Sequence, residues 1–187
     1  MKRYIFLMLT LAFTFASCEK ELLQVPESTK VTDNFYSNEA EMEEAVNAVY
    51  ATLQFFGNYD IALPAMGELP GEDAYDETPA NDGGNYGQLD QYNVISQNSL
   101  IESMWTDAYK GIQRANIVLE RIEPIEFAQE ATKSARIGEM KFLRALYYFN
   151  LVRIYGDVPL VLEEVQNPQE YFGQERTPKT QVYEAIK

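Results

Sequence analysis

SLIESMWTDAYKGIQRANIVLERI (residues 99–122) and, beyond a short break at Pro124, QEATKSARIGEMKFLRALYYFNLVRIY (residues 129–155) decide the fold of this chain. In the first stretch Trp105, Tyr109, Ile112, Asn116, Leu119 and Ile122 recur every three or four residues, the period of one helix face. In the second, Ile137, Met140, Leu143, Ala145, Tyr148, Val152 and Tyr155 keep the same phase. Ser99 with Glu102 three residues later is a capping-box pattern, so the first helix is expected over 99–122. Pro124 stops it. The second runs from about Gln129 to Tyr155, with Gly156 as its end signal and Pro159 shortly beyond. Two long helices on so short a link form a helical hairpin.

Working outward, Asn38 and Glu41 form another capping-box pattern, followed by Met42, Val46, Val49, Tyr50 and Leu53 at helical spacing. A helix of roughly Glu39 to Phe55 is expected, ended by Gly57. On the other side, Val158 to Val161 is apolar and extended around Pro159, and Thr177-Pro178 reads as N-cap and first-turn proline of a fourth helix over 178–187. Val182 and Ile186 share a face of that helix, and the sequence offers no evident partner for it, so the chain reads as the N-terminal part of a longer polypeptide. Between Pro64 and Asn98 the character changes. Pro64, Pro70, Pro79, Gly67, Gly71, Gly83, Gly84 and Gly87 stand among many Asp and Asn without a sustained apolar period. A long irregular loop is expected there, and such loops tend to carry function. The expected class is all-α, with no sheet of more than two short strands. Trp105, Tyr109 and Ala115 on one arm, Ala145 and Tyr148 on the other, and Pro159 beyond resemble a tetratricopeptide unit, without a second copy at the ~34-residue period of such repeats.

The N-terminus has its own logic. Lys2 and Arg3 precede an apolar run from Tyr4 to Ala16, and Phe15-Ala16-Ser17-Cys18 then gives way to Glu19-Lys20-Glu21. A positive start, an apolar run well short of the ~20 residues of a spanning helix, and small residues before a break mark a signal peptide over 1–17. Cys18 is the only cysteine and sits immediately after the break. That position is similar to the acylated cysteine of bacterial lipoproteins, with Phe15 where such boxes usually carry Leu. Residues 18–30, with Pro26 and no periodicity, read as a lipidated tether, and 31–187 as the helical domain.

Composition narrows the chemistry. The 187-residue chain carries a net charge of −14, which disfavours nucleic acid and anionic membrane surfaces and leaves the lipid on Cys18 as the attachment. It has no histidine and one cysteine, so no Ser-His-Asp or Cys-His relay and no His/Cys zinc site can be built. Carboxylate chemistry and hard-cation sites remain, and no cofactor is indicated. Asn81-Asp82-Gly83-Gly84-Asn85 has oxygen donors for calcium but lacks the alternating acids and closing Glu of an EF-hand loop.

Several blocks, in order, carry a more specific signal. Thr32-Asp33-Asn34-Phe35-Tyr36, Ala45-Val46-Asn47-Ala48-Val49-Tyr50, and Trp105-x3-Tyr109-x2-Ile112-x2-Ala115-Asn116 are followed by Lys141-Phe142-Leu143-Arg144-Ala145-x-Tyr147-Tyr148-Phe149. Tyr155-Gly156-Asp157-Val158-Pro159-Leu160-Val161 and the helix opened by Thr177-Pro178 come next. Together they resemble the N-terminal part of the SusD/RagB family of outer-membrane lipoproteins. The resemblance implies a tetratricopeptide-like helical scaffold, lipid-anchored on the outer surface of a Bacteroidetes-type bacterium. It also implies a SusC-like TonB-dependent transporter as partner, to which oligosaccharides, or in some branches peptides, pass without cleavage. Glu19-Lys20-Glu21 resembles the surface-export signal of such lipoproteins.

Within this frame Trp105, Tyr148 and Asn116 read as structural. The first two are in phase with the apolar stripe, and Asn116 is expected to hold a hydrogen bond inside the hairpin. Tyr147 is expected to face other helices or solvent, and Arg144 and Asp157 to pair or cap helix ends. The resemblance places ligand contacts in loops such as 71–98. There Tyr75, Asp76, Tyr86, Asp90 and Tyr92 are chosen by type and position, because rings stack on sugar faces and carboxylates accept from vicinal hydroxyls. Two other readings stay open: a glycoside hydrolase using acidic loop residues such as Asp73 with Asp76 or Glu77, and a helical scaffold binding peptides or an envelope protein.

Overall fold

A computed structural model describes residues 35–71, 73–77, 81, 83–167, 169 and 173–187. The expected signal peptide and tether, Cys18 and Thr32-Asp33-Asn34 lie outside the described residues. From Tyr36 onward the described chain forms one unit built on helices: α1 (Glu39–Ala51), α2 (Ala62–Glu68), α3 (Asn85–Asp90), α4 (Ser99–Arg121), α5 (Glu130–Tyr155) and α6 (Lys179–Ala185). Among the described residues the only β pairing is an isolated antiparallel bridge between Val158 and Thr177. None of the described helices is long and apolar enough to cross a membrane.

The α4–α5 hairpin is the frame. Leu100, Met104, Ala108, Ile112, Ala115 and Val118 of α4 are buried against Met140, Leu143, Tyr147, Tyr148, Leu151 and Val152 of α5. Gly111 lets the two helices approach, because a β-carbon there would lie 2.4 Å from Tyr147 Cζ. α1 packs across the hairpin through Met42, Val46 and Val49. Tyr147 reaches back to α1, its hydroxyl donating to the Val49 carbonyl at 2.8 Å. Of the two surroundings expected for it, the helices are the ones found. Arg114 donates to Ala48 O and Thr52 Oγ1 at 3.0 and 2.8 Å, closing the exposed end of α1.

Several boundaries differ from the sequence reading. α1 ends at Ala51, and a 3₁₀ turn over Thr52–Gln54 and a wide turn over Phe56–Asp60 follow. Gly57 is therefore no helix terminator. It is buried inside the wide turn, its N–H donating to Asp107 Oδ2 at 3.0 Å, and a β-carbon there would strike the Ser103 carbonyl. The cap of α4 is Asn98, whose Oδ1 accepts from Leu100 N and Ile101 N, rather than Ser99. The Asn38–Glu41 pattern holds in altered form. Asn38 Oδ1 accepts from Glu41 N at 3.1 Å, while the Glu41 carboxylate reaches Ser37 N at 2.8 Å.

α6 also departs from expectation. It starts at Lys179, and its first N–H is received by Asp157 Oδ1 at 2.8 Å, so Asp157 caps it across the chain in place of Thr177. Val182 is fully buried and Ile186 half-buried, so the apolar face expected to lack a partner finds one in this chain, against α5. The segment from 157 to 165 straps the hairpin. Asn116 Nδ2 donates to the carbonyls of Val161 and Glu163 at 3.1 and 2.8 Å, the structural role expected of it. Among the described residues Arg144 neither pairs with a carboxylate nor caps a helix. It donates to Asn116 Oδ1 and the Leu162 carbonyl at 2.8 and 2.9 Å, and burial lowers its pKa.

Candidate functional site

The stretch between α1 and α4 is less irregular than its composition implies, because it holds α2 and α3. Leu69 and Leu89 anchor it by burial. Gly84 starts α3 in the left-handed region (φ 81°), where glycine bears no β-carbon penalty. Asn98 then fixes α3 to the start of α4, its Nδ2 donating to Asn85 O and Gln88 Oε1 at 2.9 and 3.0 Å. Asn85 Oδ1 in turn accepts from Ser99 N at 2.8 Å. One fully buried asparagine thus caps the long helix and locates the loop that lies before it.

On this support the five residues chosen from the sequence separate. Tyr86 and Asp90 stand four apart on α3, hence on one face of it, and both are half-buried. Tyr92 follows at 76% exposure with φ +56°, a left-handed backbone that a tyrosine adopts only at a cost. Its hydroxyl donates to the Pro70 carbonyl, drawing the end of the loop onto its beginning. Val94 and Ile95 next to it are also exposed. Tyr75 (71% exposed) and the half-buried Asp76 sit on the other arm, between α2 and α3. The result is two tyrosine rings held out to solvent, with carboxylates on both arms.

In the Asn81–Asn85 stretch Asn85 Oδ1 accepts from Ser99 N, and Asp82 lies outside the described residues.

The hairpin's aromatic residues behave differently. Tyr148 both donates to Val161 O (2.9 Å) and accepts from Val161 N (2.6 Å), and burial pushes its pKa up to about 12. Tyr155 donates to Ile101 O at 2.7 Å and Tyr109 to Pro159 O at 2.7 Å, and burial raises the pKa of each further still. Trp105 packs on Tyr109 and edge-on to Tyr155, both at 5.0 Å between ring centres. It is only half-buried, which corrects its expected place in the core. One side of it borders a cleft between α4 and the strap.

The described residues thus form a helical hairpin strapped by an extended segment and preceded by a loop with exposed tyrosines. Residues 37–187 match a SusD-like family described as "starch-binding associating with outer membrane", and the chain belongs to that family. "SusD-like protein P25" of Formosa agariphila is 29% identical over 87% of this chain and 32% of its own length. Two solved structures superpose on the chain. A "laminarin binding SusD-like protein" does so with a TM-score of 0.70 at 28% identity, covering 81% of this chain and 32% of the other. "Surface glycan-binding protein A from Bacteroides uniformis" does so with a TM-score of 0.68 at 26% identity, covering 80% and 32%. The chain spans about a third of the length of the relatives it matches.

Proposed function

We propose that this chain is the N-terminal part of a cell-surface lipoprotein that binds oligosaccharides and hands them, uncleaved, to a SusC-like TonB-dependent transporter in the outer membrane. Residues 1–17 are the signal peptide, Cys18 carries the lipid, residues 18–30 are the tether, and residues 31–187 begin the binding domain. The observation that carries the reading is the presentation of the Tyr75 and Tyr92 rings to solvent, on arms that also bear Asp76 and Asp90, in a member of this family. Exposed rings stack on the apolar faces of pyranoses, and neighbouring carboxylates accept from sugar hydroxyls. The strained Tyr92 backbone fits a residue held in place for contact.

A neutral-glycan array probed with the chain at high surface density tests this, since avidity compensates for a partial surface. Retention of at least one oligosaccharide, with no release of reducing ends, is the expected result. Release of reducing ends would replace the reading with a glycosidase, and retention of peptides alone with a peptide-binding scaffold. The anchoring is tested separately. Cys18→Ala should move the protein out of the membrane fraction, and a variant still on the surface of intact cells would refute lipidation at Cys18.

A further inference from the structure

Leu63, Met66 and Gly67 stand three and four residues apart on α2, and Asn150, Arg153 and Ile154 repeat that spacing on α5, so each set shares a helix face. The two faces wall a pocket of about 230 Å³. None of Tyr75, Asp76, Tyr86, Asp90 and Tyr92 is part of that wall. Asn150 is only 5% exposed; its Nδ2 donates to the Tyr59 hydroxyl at 2.9 Å, and no described residue donates to its Oδ1. That oxygen is not sealed off, so it faces the pocket that its residue lines. An acceptor so deep without a partner is costly and uncommon. Arg153 stands about one turn further along α5. Its guanidinium lies 5.1 Å from the centre of the Phe149 ring, and no carboxylate of the described residues pairs with it. In a chain of net charge −14, a cation without an acid is open to an anion from outside.

We infer that this pocket binds a single sugar unit bearing a carboxylate, a uronic acid. The carboxylate accepts from the Arg153 guanidinium, a ring hydroxyl donates to Asn150 Oδ1, and the apolar side of the ring lies on Leu63, Met66 and Ile154. Gly67 leaves room for the ring, because a β-carbon there would meet nothing within 4 Å. The volume is below the ~300 Å³ at which drug-sized sites begin, which limits the occupant to about one ring. That the acid is a sugar rests on the glycan reading. The call for one carboxylate and one hydroxyl donor rests on the pocket alone.

The test is a titration of the nitrogen-15-labelled chain with methyl β-D-glucuronide, methyl β-D-glucoside and lactate, read on the Asn150 side-chain amide and the Arg153 Nε–H resonances. Low ionic strength is used because Arg153 is exposed. The glucuronide should saturate both resonances with a dissociation constant of roughly 1 mM, the range open to a ligand of this size. The glucoside should bind at least about tenfold more weakly, for want of the charged pair. Arg153→Gln should bring the glucuronide down to the glucoside's affinity. Gly67→Leu, which fills the pocket from a position with space around it, should weaken the glucuronide about tenfold or more with helix content unchanged. Equal affinities for the two glycosides, or full affinity in either variant, would overturn the inference. Lactate binding as tightly as the glucuronide would overturn the assignment to a sugar. If none of the three gives a saturable shift, water is the partner of Asn150 Oδ1 and the inference falls. Retention of neutral glycans by the loop is read on the array, so the two readings fail separately.

Discussion

Tyrosine does opposite work in the hairpin and in the loop that precedes it. Tyr147, Tyr148, Tyr155 and Tyr109 point inward, and each hydroxyl donates to a backbone carbonyl of another segment: Val49, Val161, Ile101 and Pro159. They act as cross-links that bind α1, the strap and the two long helices into one frame. Tyr75 and Tyr92 leave their rings in water. Burying a large ring without a partner for its hydroxyl is unfavourable, so the first group is fixed by hydrogen-bond geometry. The second group bears no such burial cost, although the Tyr92 hydroxyl also donates to a backbone carbonyl, that of Pro70. The lesson is that the frame should be intolerant of small changes and the loop tolerant of large ones.

The most damaging test of that contrast is Gly111→Ala. A methyl group 2.4 Å from Tyr147 Cζ must push the ring or separate the helices, and overpacking of this kind costs about 3 kcal/mol. Gly67→Ala in α2, where the new carbon meets nothing within 4 Å, should instead stabilise by about 0.5–1 kcal/mol. Urea unfolding of both variants measures the difference. Similar midpoints for the two would mean that the hairpin is loosely packed and the contrast unreal.

Alkali should act next. The four frame tyrosines are raised by burial above the ordinary value of 10.0, Tyr148 to about 12 and the others further. A group that holds its proton more tightly when folded contributes stability below its unfolded pKa and loses it as pH rises toward the folded value. Stability should therefore be flat up to about pH 10 and fall steeply between 10 and 12. Helix loss by circular dichroism should coincide with ionisation of these four among the 13 tyrosines, not with the first rise in tyrosinate absorbance. Full ionisation with the helices intact would contradict the burial argument.

Tyr148→Phe isolates one cross-link. It leaves the Val161 amide and carbonyl short of the hydroxyl that serves both, with Asn116 still donating to the carbonyl. A loss of about 1–2 kcal/mol is expected, small beside the glycine clash. A thermal shift indistinguishable from the parent would show that water replaces the hydroxyl at no cost.

The frame was far more legible in sequence than the site, for physical reasons. Helical period is a local property, so α4 and α5 follow from spacing alone, as does the burial of Tyr148. Caps depend on one side-chain oxygen, and Asn98 escaped notice because Ser99 with Glu102 makes an equally good pattern one residue later. The sequence marks Asp157 as a residue that pairs or caps a helix end, as it does, but that the end is α6, 22 residues away, is carried by no local pattern. Trp105 shared the phase of the core, yet phase does not say which side of a helix another segment covers. For the loop, composition announced irregularity but not α2 and α3, which are two short turns held by the buried leucines and Asn98. The rings of Tyr75 and Tyr92 could be named by type, while their exposure and the positive φ of Tyr92 depend on the folded chain.

Tyr92 offers the smallest change in stability and the sharpest separation of roles. Replacement by glycine removes the left-handed penalty of about 1–2 kcal/mol and at the same time deletes an exposed hydroxyl bond to Pro70. Both terms are small and opposed, so Tyr92→Gly should alter stability by less than about 0.5 kcal/mol, as for most surface changes. If the ring is held up to meet sugar, affinity for the oligosaccharide retained on the array should nonetheless fall roughly tenfold, equivalent to ~1.4 kcal/mol. Isothermal titration paired with denaturant unfolding reads both quantities on one preparation. A stability loss above about 1 kcal/mol with affinity unchanged would make Tyr92 a latch on Pro70 rather than a platform. Tyr75 would then be the one exposed ring of the five residues left to carry the contact.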